Sequence, residues 1–287
     1  MTSRSTEQEL AHPDRKTIQS FFDAIHRQYD FLNSLLSFGL DRYWRKCLVQ
    51  EAFIFHRHPE ARKGRRIQTE ILRRCSSSLP QDDGSRLSIL DLGVGTGKSL
   101  EAFLKVYSFE RAVGCDFSER MLVKAKSRLD SSCALVACDF HELPFRSEAF
   151  DVVTGSFILR SVQDLERFFS EVKRVLTKSG KAVFLELTRP ANRFVYLLYQ
   201  PYLRYYLPIV GKLVSSQEKA YQFLSCSVQT FLEPRALRLE MEHVGFLETT
   251  TKSLTFGAAT VIEGRKAAGS VSSDREQKGR RSYEHRV

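Results

Sequence analysis

Ile89–Gly97 reads Ile-Leu-Asp-Leu-Gly-Val-Gly-Thr-Gly, and this stretch decides the fold. A short apolar run leads through Asp91 into three glycines that alternate with other residues. Glycine allows the backbone to turn sharply, and it allows a ligand to approach the main chain closely. The pattern therefore predicts a buried strand, a tight loop and then a helix over residues 97–107, as in ligand-binding α/β domains.

The spacing of the glycines distinguishes this loop from two phosphate-binding loops. A P-loop has Gly-Lys-Ser/Thr five residues after a first glycine, and Gly97-Lys98-Ser99 does not meet that spacing. In the dinucleotide fingerprint the third glycine would come one residue later. Asp-x-Gly-x-Gly-x-Gly is the pattern of S-adenosylmethionine loops in class I methyltransferases, which makes Asp91, Gly93, Gly95 and Gly97 candidate cofactor contacts.

Acidic residues follow the next two predicted strands. Asp116, with Phe117 beside it, lies 19 residues after Gly97, where a carboxylate can accept hydrogen bonds from both ribose hydroxyls. Asp139 and the backbone N–H of Phe140 can hold the edge of an adenine. The three signals in this order predict S-adenosylmethionine as the cofactor. The alternative, glycines that only form turns and Asp116 as a helix cap, stays open at this point.

Short apolar runs alternate with helical stretches on both sides of the loop. Helices are predicted over 119–129, 164–176 and 234–244, besides the one after the loop. Strands are predicted over 88–92, 112–116, 134–138, 149–155, 181–187, 246–250 and 255–262. This alternation indicates an α/β fold, a doubly wound and mostly parallel seven-stranded sheet covered by helices on both faces.

Composition predicts the remaining boundaries. Residues 1–17 are interpreted as a flexible N-terminus, and residues 18–53 as helices with a break near Gly39. Residues 54–87 carry eight Lys/Arg against four Asp/Glu and are interpreted as a basic insertion or linker. The main domain is then 88–262, with a helical lid at about 190–231. Residues 263–287 are rich in serine and charge and predict a disordered tail.

The net charge of +10 arises largely outside the main domain. Residues 54–87 and 263–287 hold much of the excess, so the charge does not indicate a nucleic-acid groove. No apolar run reaches the ~18 residues of a membrane-spanning helix, and the polar N-terminus lacks the apolar core of a signal peptide. The six cysteines show no zinc-ligand spacing, which predicts free thiols in a reducing cytoplasm and no metal site.

Several motifs, taken together, resemble one family. Leu35–Arg45 contains Ser-Phe-Gly-Leu-Asp-x-x-Trp-Arg, Ser156–Arg160 reads Ser-Phe-Ile-Leu-Arg, and Leu207-Pro208 with Gly211 precedes Ala220-Tyr221. With the glycine loop, these blocks make residues 19–262 similar to the ubiquinone/menaquinone biosynthesis C-methyltransferases, the demethylmenaquinone methyltransferase-like family. The chain departs from the family at Lys98, where an acidic residue is usual, at Ser161, and in the length of 54–87.

The resemblance implies a Rossmann-like class I methyltransferase fold and methyl transfer from S-adenosylmethionine to the ring of a polyprenyl quinol. Demethylmenaquinol is the expected acceptor, and 2-polyprenyl-6-methoxybenzoquinol is the alternative. A non-catalytic S-adenosylmethionine-binding paralogue is a third reading. The family pattern also implies cofactor contacts for Thr96, Asp116, Asp139 with Phe140, and Ser156.

Arg160, Tyr29 and His141 are the candidate catalytic residues. Arg160 follows the fourth predicted strand, at the edge where open α/β sheets bind ligands, and could stabilise a phenolate or orient a water molecule. His141, like His26, carries an imidazole, a side chain that can accept a proton in general-base catalysis. For Tyr29 and both histidines, packing or surface exposure without a catalytic role is the competing interpretation.

The aromatic segment Phe194–Val210 and the amphipathic N-terminal helices suit an isoprenoid tail. We therefore expect a cytoplasmic protein that can associate peripherally with the inner face of the cytoplasmic membrane, although an ordinary lid packed on the sheet explains the same residues. A nucleic-acid partner is not expected, because residues 155–161 lack the Asp/Asn-Pro-Pro-Tyr/Phe motif of base amine methylation. The oligomeric state, a homodimer included, is open.

Overall fold

A computed structural model describes residues 14–26, 28–57, 87–131, 133–206, 209 and 218–268. Its centre is a seven-stranded sheet in the order β3-β2-β1-β4-β5-β7-β6. β7 pairs antiparallel with both neighbours, and the other neighbouring strands are parallel. The strands are β1 Ser88–Leu92, β2 Arg111–Asp116, β3 Cys133–Ala137, β4 Phe150–Ser156, β5 Leu176–Leu187, β6 Leu247–Leu254 and β7 Ala259–Arg265.

Helices cover both faces of this sheet. They are α1 Arg15–Ile25, α2 Tyr29–Leu36, α3 Leu40–Arg57, α4 Lys98–Leu104, α5 Glu119–Arg128, α6 Leu165–Val175, α7 Arg193–Pro201, α8 Glu218–Thr230 and α9 Pro234–His243, with a π-helix at Tyr202–Tyr206. Ser118 and Asp164 cap α5 and α6 by accepting backbone N–H groups of the first turn. Pro234 opens α9, where its missing N–H costs nothing.

The two faces of the sheet bury separate apolar cores. On one face α6 contributes Phe168 and Phe169, which pack with Phe184 of β5. On the other face α3 contributes Leu48 and Phe53, which belong to the same cluster as Phe103 of α4. Burial of this much aromatic and aliphatic surface is the main stabilising contribution to the fold.

The strand order reverses between β1 and β4, and this reversal places the site. Leu92, the last residue of β1, lies opposite Cys115 of β2 and Gly155 of β4. The loops that follow these strands therefore diverge and leave a crevice at the carboxyl edge of the sheet. The predicted glycine loop opens into this crevice.

The predicted fold class is confirmed, but several predicted boundaries are wrong. β6 continues to Leu254, and the predicted strand 255–262 begins only at Ala259, because Thr255 and Phe256 adopt positive φ (47° and 56°) in a 3₁₀ turn. A β-branched and a bulky residue in that region cannot continue a strand.

Residues 263–265, which were predicted to belong to the tail, lie in β7, where Glu263 forms a buried ion pair with Lys181 (2.6 Å). At the other end, the N-terminal helices begin at Arg15 rather than at residue 18, and α3 runs to Arg57, into the predicted insertion.

Parts of the predicted organisation lie outside the described residues. These are most of the N-terminus, the bulk of the 54–87 insertion, the end of the tail, and the motif residues Leu207, Pro208, Gly211, Val214 and Ser215. The lid predicted over 190–231 is described as α7, the π-helix and α8. None of the helices in the described part of the chain has the length and apolarity needed to cross a bilayer.

Candidate active site

The glycine loop exposes its backbone to the crevice. Gly93, Gly95 and Gly97 all have positive φ (62°, 54° and 86°), the region that favours glycine. A Cβ on Gly93 would clash with the side chain of Ile158, which follows β4. The loop can therefore turn from β1 into α4 while its main chain stays accessible to a ligand.

Two carboxylates are buried where β1 and β2 end. Both oxygens of Asp91 are buried, and neither accepts a hydrogen bond among the described residues. Burial raises the pKa of Asp91 to about 8, and the positive charge of Arg45 opposes this. Burial also raises the pKa of Asp116 to about 6, although its carboxylate accepts the N–H groups of Ser118 (2.9 Å) and Gly95 (2.8 Å). A cationic ligand beside them would favour both ionised forms.

A cavity of about 390 Å³, open mouth included, lies in front of these residues. Six of the predicted cofactor residues line it: Gly93, Gly95, Asp116, Phe117, Phe140 and Ser156. Asp91, Thr96, Gly97 and Asp139 are not among its lining residues. A cationic nucleoside such as S-adenosylmethionine fits this site. The carboxylates of Asp91 and Asp116 suit its positive charge, and the glycines, which lack a Cβ atom, leave room for it beside the main chain.

Thr96 contacts a neighbouring helix instead of the cavity. Its hydroxyl donates to Oδ1 of Asp30 on α2 (2.6 Å), and Arg128 donates to the Thr96 hydroxyl (2.8 Å) and carbonyl (2.6 Å). Arg128 also pairs with Oδ2 of Asp30 (2.6 Å). Burial alone would raise the pKa of Asp30, but the hydrogen bonds from Thr96 and Arg128 hold it below its usual value.

Lys98, which departs from the family pattern, joins the same network. Its Nζ donates to the Asp30 carbonyl (3.3 Å) and lies 3.7 Å from Oδ1 of Asp30 and 3.8 Å from Oδ2 of Asp41. Asp41 in turn pairs with Arg45 (2.9 Å), and both belong to α3. Lys98 thus connects the start of α4 to both α2 and α3.

A second set of polar contacts ties α1 to the loop after β2. The hydroxyl of Ser118 donates to the carboxylate of Asp23, and the side-chain amide of Gln19 donates to the Phe117 carbonyl (3.1 Å). Lys124 of α5 donates to the carbonyl of His26 (2.8 Å). The N-terminal helices therefore cover the cofactor cavity and are held there by specific side chains.

A larger cavity, about 990 Å³ with its open mouth, adjoins the first. Its walls come from the N-terminal helices and the lid, and most of its lining side chains are apolar. They include Phe21, Ile25, Leu32, Leu36, Trp44, Leu187, Tyr199, Tyr202, Leu203, Phe223, Leu224 and Val228. Polar groups are few, which is typical of sites for small apolar ligands.

Four residues, Phe22, Tyr29, Phe157 and Ser161, line both cavities and so form the boundary between them. Phe157 has a positive φ of 62°, unusual for a bulky residue and most frequent at functional sites. Its N–H donates to the Leu185 carbonyl (2.7 Å), and the guanidinium of Arg45 lies 5.2 Å from its ring centre. The backbone thus holds this aromatic ring where the two cavities meet.

One of the predicted catalytic residues, Tyr29, lies at this boundary, and a second lies in the larger cavity only. Arg160 lines the larger cavity and pairs with the fully buried Glu186 (Nε to Oε1, 2.7 Å). Burial raises the pKa of Tyr29. A hydrogen bond with Asn33 and the positive charges of Arg45 and Arg160 lower it, but burial has the larger effect. Tyr29 is therefore a neutral hydrogen-bond donor near neutral pH.

The histidines lie elsewhere. His141 is absent from both linings, and its Nδ1 and backbone N–H both contact Oδ1 of Asp139 (2.9 Å each). Nδ1 of His26 contacts the Asp23 carbonyl (2.7 Å). The catalytic role of His141 stays a prediction, and its side chain lines neither of the two cavities.

Asp30, Arg45, Arg128, Phe157 and Glu186 were not predicted as site residues. Arg45, Phe157 and Glu186 lie within or beside family motifs, so a motif-based reading could have included them. Asp30 follows Tyr29 in the family pattern, whereas Arg128 belongs to no motif. The two are separated by 98 residues, so their pairing becomes visible only in the folded chain.

The sequence is similar to proteins of one group. The family model described as the ubiE/COQ5 methyltransferase family matches residues 10–266. A demethylmenaquinone methyltransferase of Thermotoga maritima is 34% identical over 251 residues, 87% of this chain and 96% of that protein. The ubiquinone/menaquinone biosynthesis C-methyltransferase UbiE of Desulfotalea psychrophila is 30% identical over 250 residues, 87% of this chain and 90% of that protein.

Among solved structures, the complex between the Haloferax volcanii Trm112 methyltransferase activator and a methyltransferase contains a similar chain. The TM-score is 0.53 with 16% sequence identity, over 86% of this chain and 97% of that one. At this identity the similarity supports the fold alone. The sequence matches confirm the prediction of a methyltransferase.

The buried carboxylates predict that cofactor affinity depends on pH. With its pKa raised to about 8, Asp91 is mostly protonated at neutral pH and must lose its proton when a cationic ligand binds. Affinity for S-adenosylmethionine should therefore rise by up to about tenfold per pH unit between about pH 6 and pH 7.5. Titration calorimetry in buffers of different ionisation enthalpy should record the release of about one proton near pH 7.

Asp91→Asn is the matched variant for this test, because it keeps the shape of the side chain and removes the titration. It should bind the cofactor more weakly and with a flatter pH dependence. Proton release that is the same in wild type and Asp91→Asn would assign the titration to another group.

The network around Asp30 predicts the effect of restoring the acidic residue that is usual in the family. Lys98→Glu would place a third carboxylate near Asp30 and Asp41, and we expect it to lower the free energy of unfolding by about 2 kcal/mol. It should also weaken cofactor binding by loosening α2 and α3. Lys105→Glu is the control, because Lys105 is exposed and directly follows α4. It should lower the free energy of unfolding by less than about 1 kcal/mol. Equal losses in both variants, measured by denaturant unfolding, would contradict this role of Lys98.

Proposed function

The chain belongs to the ubiE/COQ5 methyltransferase family, and on this premise we propose that it transfers a methyl group from S-adenosylmethionine to a ring carbon of a polyprenyl quinol, demethylmenaquinol in particular. The observation that carries the proposal is the pair of adjoining cavities. The smaller one has the charge and the open backbone that suit the cofactor, and the larger one is mostly apolar, as a prenylated ring requires. Direct transfer requires the two ligands to meet, and Tyr29 and Phe157 lie where they would do so.

S-adenosylmethionine, when bound, supplies a methyl group on a positively charged sulfur. The acceptor ring carbon becomes nucleophilic when a neighbouring hydroxyl loses its proton. As this carbon gains the methyl group, the bond between sulfur and the methyl carbon would break and leave S-adenosylhomocysteine. The hydrogen on the same ring carbon would then leave as a proton, and the ring would regain its aromaticity with the oxygen protonated again. Arg160 supports that ionisation, because its guanidinium lines the acceptor cavity and can stabilise the developing oxyanion. Arginine itself stays protonated, so the proton leaves to water that it orients. Tyr29 contributes a neutral hydroxyl that can orient the ring.

The choice of acceptor rests on the relatives. The Thermotoga maritima protein is named a demethylmenaquinone methyltransferase, and the Desulfotalea psychrophila protein is named for both ubiquinone and menaquinone biosynthesis. We therefore propose demethylmenaquinol first and 2-polyprenyl-6-methoxybenzoquinol second. With either quinol, the prenyl tail would lie along the aromatic and aliphatic side chains with which the lid lines the larger cavity.

The test supplies purified protein with radiolabelled S-adenosylmethionine and both reduced acceptors in parallel. Wild type should label the naphthoquinol more rapidly than the benzoquinol. Arg160→Ala should lower kcat by about 100- to 1,000-fold while the cofactor Kd stays unchanged, because Arg160 lies outside the cofactor cavity. Transfer to neither quinol would reject the proposed function. Wild-type turnover in Arg160→Ala would remove Arg160 from the mechanism.

We further propose that the protein docks on a lipid surface to receive its acceptor. What supports this is an apolar rim of exposed side chains: Phe31, Phe38, Phe194, Leu197, Leu198, Tyr205 and Ile209. Phe38 stacks on Tyr206 (5.5 Å between ring centres) and contacts Tyr202, which lines the acceptor cavity. The exposed Arg193 and Arg204 lie in the same helices and suit anionic lipid headgroups.

Vesicle sedimentation tests this docking surface. Replacing Leu197 and Leu198 together by Glu should weaken binding to anionic vesicles by at least about tenfold, since both side chains are more than 60% exposed and would otherwise insert. Leu239→Glu changes a leucine on α9 that is 51% exposed, and this variant should bind like wild type. Equal binding of all three proteins would argue against the rim as the docking surface.

A further inference from the structure

The guanidinium of Arg160 is held by two different elements of the fold. Its Nε donates to Oε1 of Glu186 near the end of β5 (2.7 Å), and its Nη1 donates to Oγ of Ser227 on α8 (2.8 Å). Arg160 itself lies in the short turn Leu159–Ser161 after β4. All three side chains are buried.

Glu186 is itself fixed by the main chain. Oε1 also accepts the N–H of Leu187 (2.7 Å), and Oε2 accepts the backbone N–H of Arg160 (3.3 Å). A buried carboxylate is stable only where such donors satisfy it. These three donors fix the position of the Glu186 carboxylate. The carboxylate therefore determines where Nε of Arg160 lies.

Ser227 presents a lone pair rather than a proton to Arg160. Its hydroxyl donates to the Leu224 carbonyl in the preceding turn of α8 (3.0 Å), which leaves the oxygen to accept from Nη1. Leu224 and Val228 of the same helix line the acceptor cavity. One helix therefore supplies both a wall of the cavity and a fixed acceptor for Arg160.

With Nε and Nη1 engaged, Nη2 is the guanidinium nitrogen that donates to no acceptor within the described part of the chain. We propose that Glu186 and Ser227 are positioning residues: they hold Arg160 so that Nη2 meets the acceptor oxygen, and the seating of α8 is thereby required for turnover. This inference rests on the proposed function, in which Arg160 acts on an oxygen of the quinol. A donor held in place before the reaction stabilises developing charge without reorganisation.

Ser227→Ala tests the inference, because it removes the acceptor for Nη1 of Arg160, together with the bond to the Leu224 carbonyl, without leaving a charge unpaired. We expect kcat to fall about ten- to a hundredfold while the KM for S-adenosylmethionine stays unchanged. The deficit should shrink as pH rises, since the acceptor hydroxyl then ionises without help from Arg160. Thr230→Ala is the matched control: it removes an exposed hydrogen bond within the same helix, from the Thr230 hydroxyl to the Cys226 carbonyl (3.0 Å), without contact to Arg160, and should keep nearly wild-type kcat.

A second measurement does not depend on turnover. In protein labelled with ¹⁵N-arginine, restrained rotation about the Nε–Cζ bond keeps the two Nη resonances of Arg160 separate, and Arg160→Lys assigns them. They should stay resolved in wild type and Thr230→Ala and merge in Ser227→Ala. Resolved resonances in Ser227→Ala, or a kcat equal to that of wild type, would overturn the positioning role. Absence of methyl transfer by wild type would instead reject the proposed function, and the Nη resonances would still decide whether Ser227 restrains Arg160.

Discussion

Asp91 and Asp116 are buried at the ends of adjacent parallel strands, and much of the surrounding structure responds to their charge. Two carboxylates withdrawn from water are unfavourable unless donors or cations satisfy them. Asp116 obtains backbone N–H groups from the glycine loop and from Ser118, whereas Asp91 has the charge of Arg45 and no hydrogen bond among the described residues. A cation bound in the crevice completes this arrangement, so the same burial that costs stability favours a sulfonium ligand.

The N-terminal helices link the two cavities physically. Asp23, Asp30 and Asp41 tie α1, α2 and α3 to the loops that hold the cofactor, and Lys98 connects the last two of these acids. Side chains of the same helices form one wall of the acceptor cavity. A chain without these helices would lose the cover over the cofactor, one wall of the acceptor cavity and the part of the apolar core that α3 supplies. The position of Lys98, unusual by the family pattern, is thereby explained as a structural contact rather than as a sign of lost activity.

Local patterns predicted the sheet, the glycine loop and Asp116, because each depends on residues close together in sequence. The turn at Thr255–Gly257 was mistaken for strand because β-branched and aromatic residues favour strands, while the hydrogen bond from Trp44 to Thr255 (2.8 Å), which forms across 211 residues, is invisible locally. The bond between Thr96 and Asp30 is hidden for the same reason, since α2 reaches Thr96 from 66 residues away, and the role of Thr96 as a cofactor contact stays a prediction. The same holds for Phe157, which lies between the two cavities. It also holds for Arg160, whose partners Glu186 and Ser227 approach it only in the folded chain.

The central claim is that the two cavities bring a methyl donor to a ring carbon of a quinol. The most direct measurement uses S-adenosylmethionine with a ¹³C-labelled methyl group, demethylmenaquinol and purified protein, followed by carbon NMR of the extracted product. The account predicts a label at the chemical shift of a methyl group bound to an aromatic ring carbon. A methoxy signal would contradict it by showing transfer to oxygen, and an unlabelled quinone fraction would contradict it by showing no transfer at all.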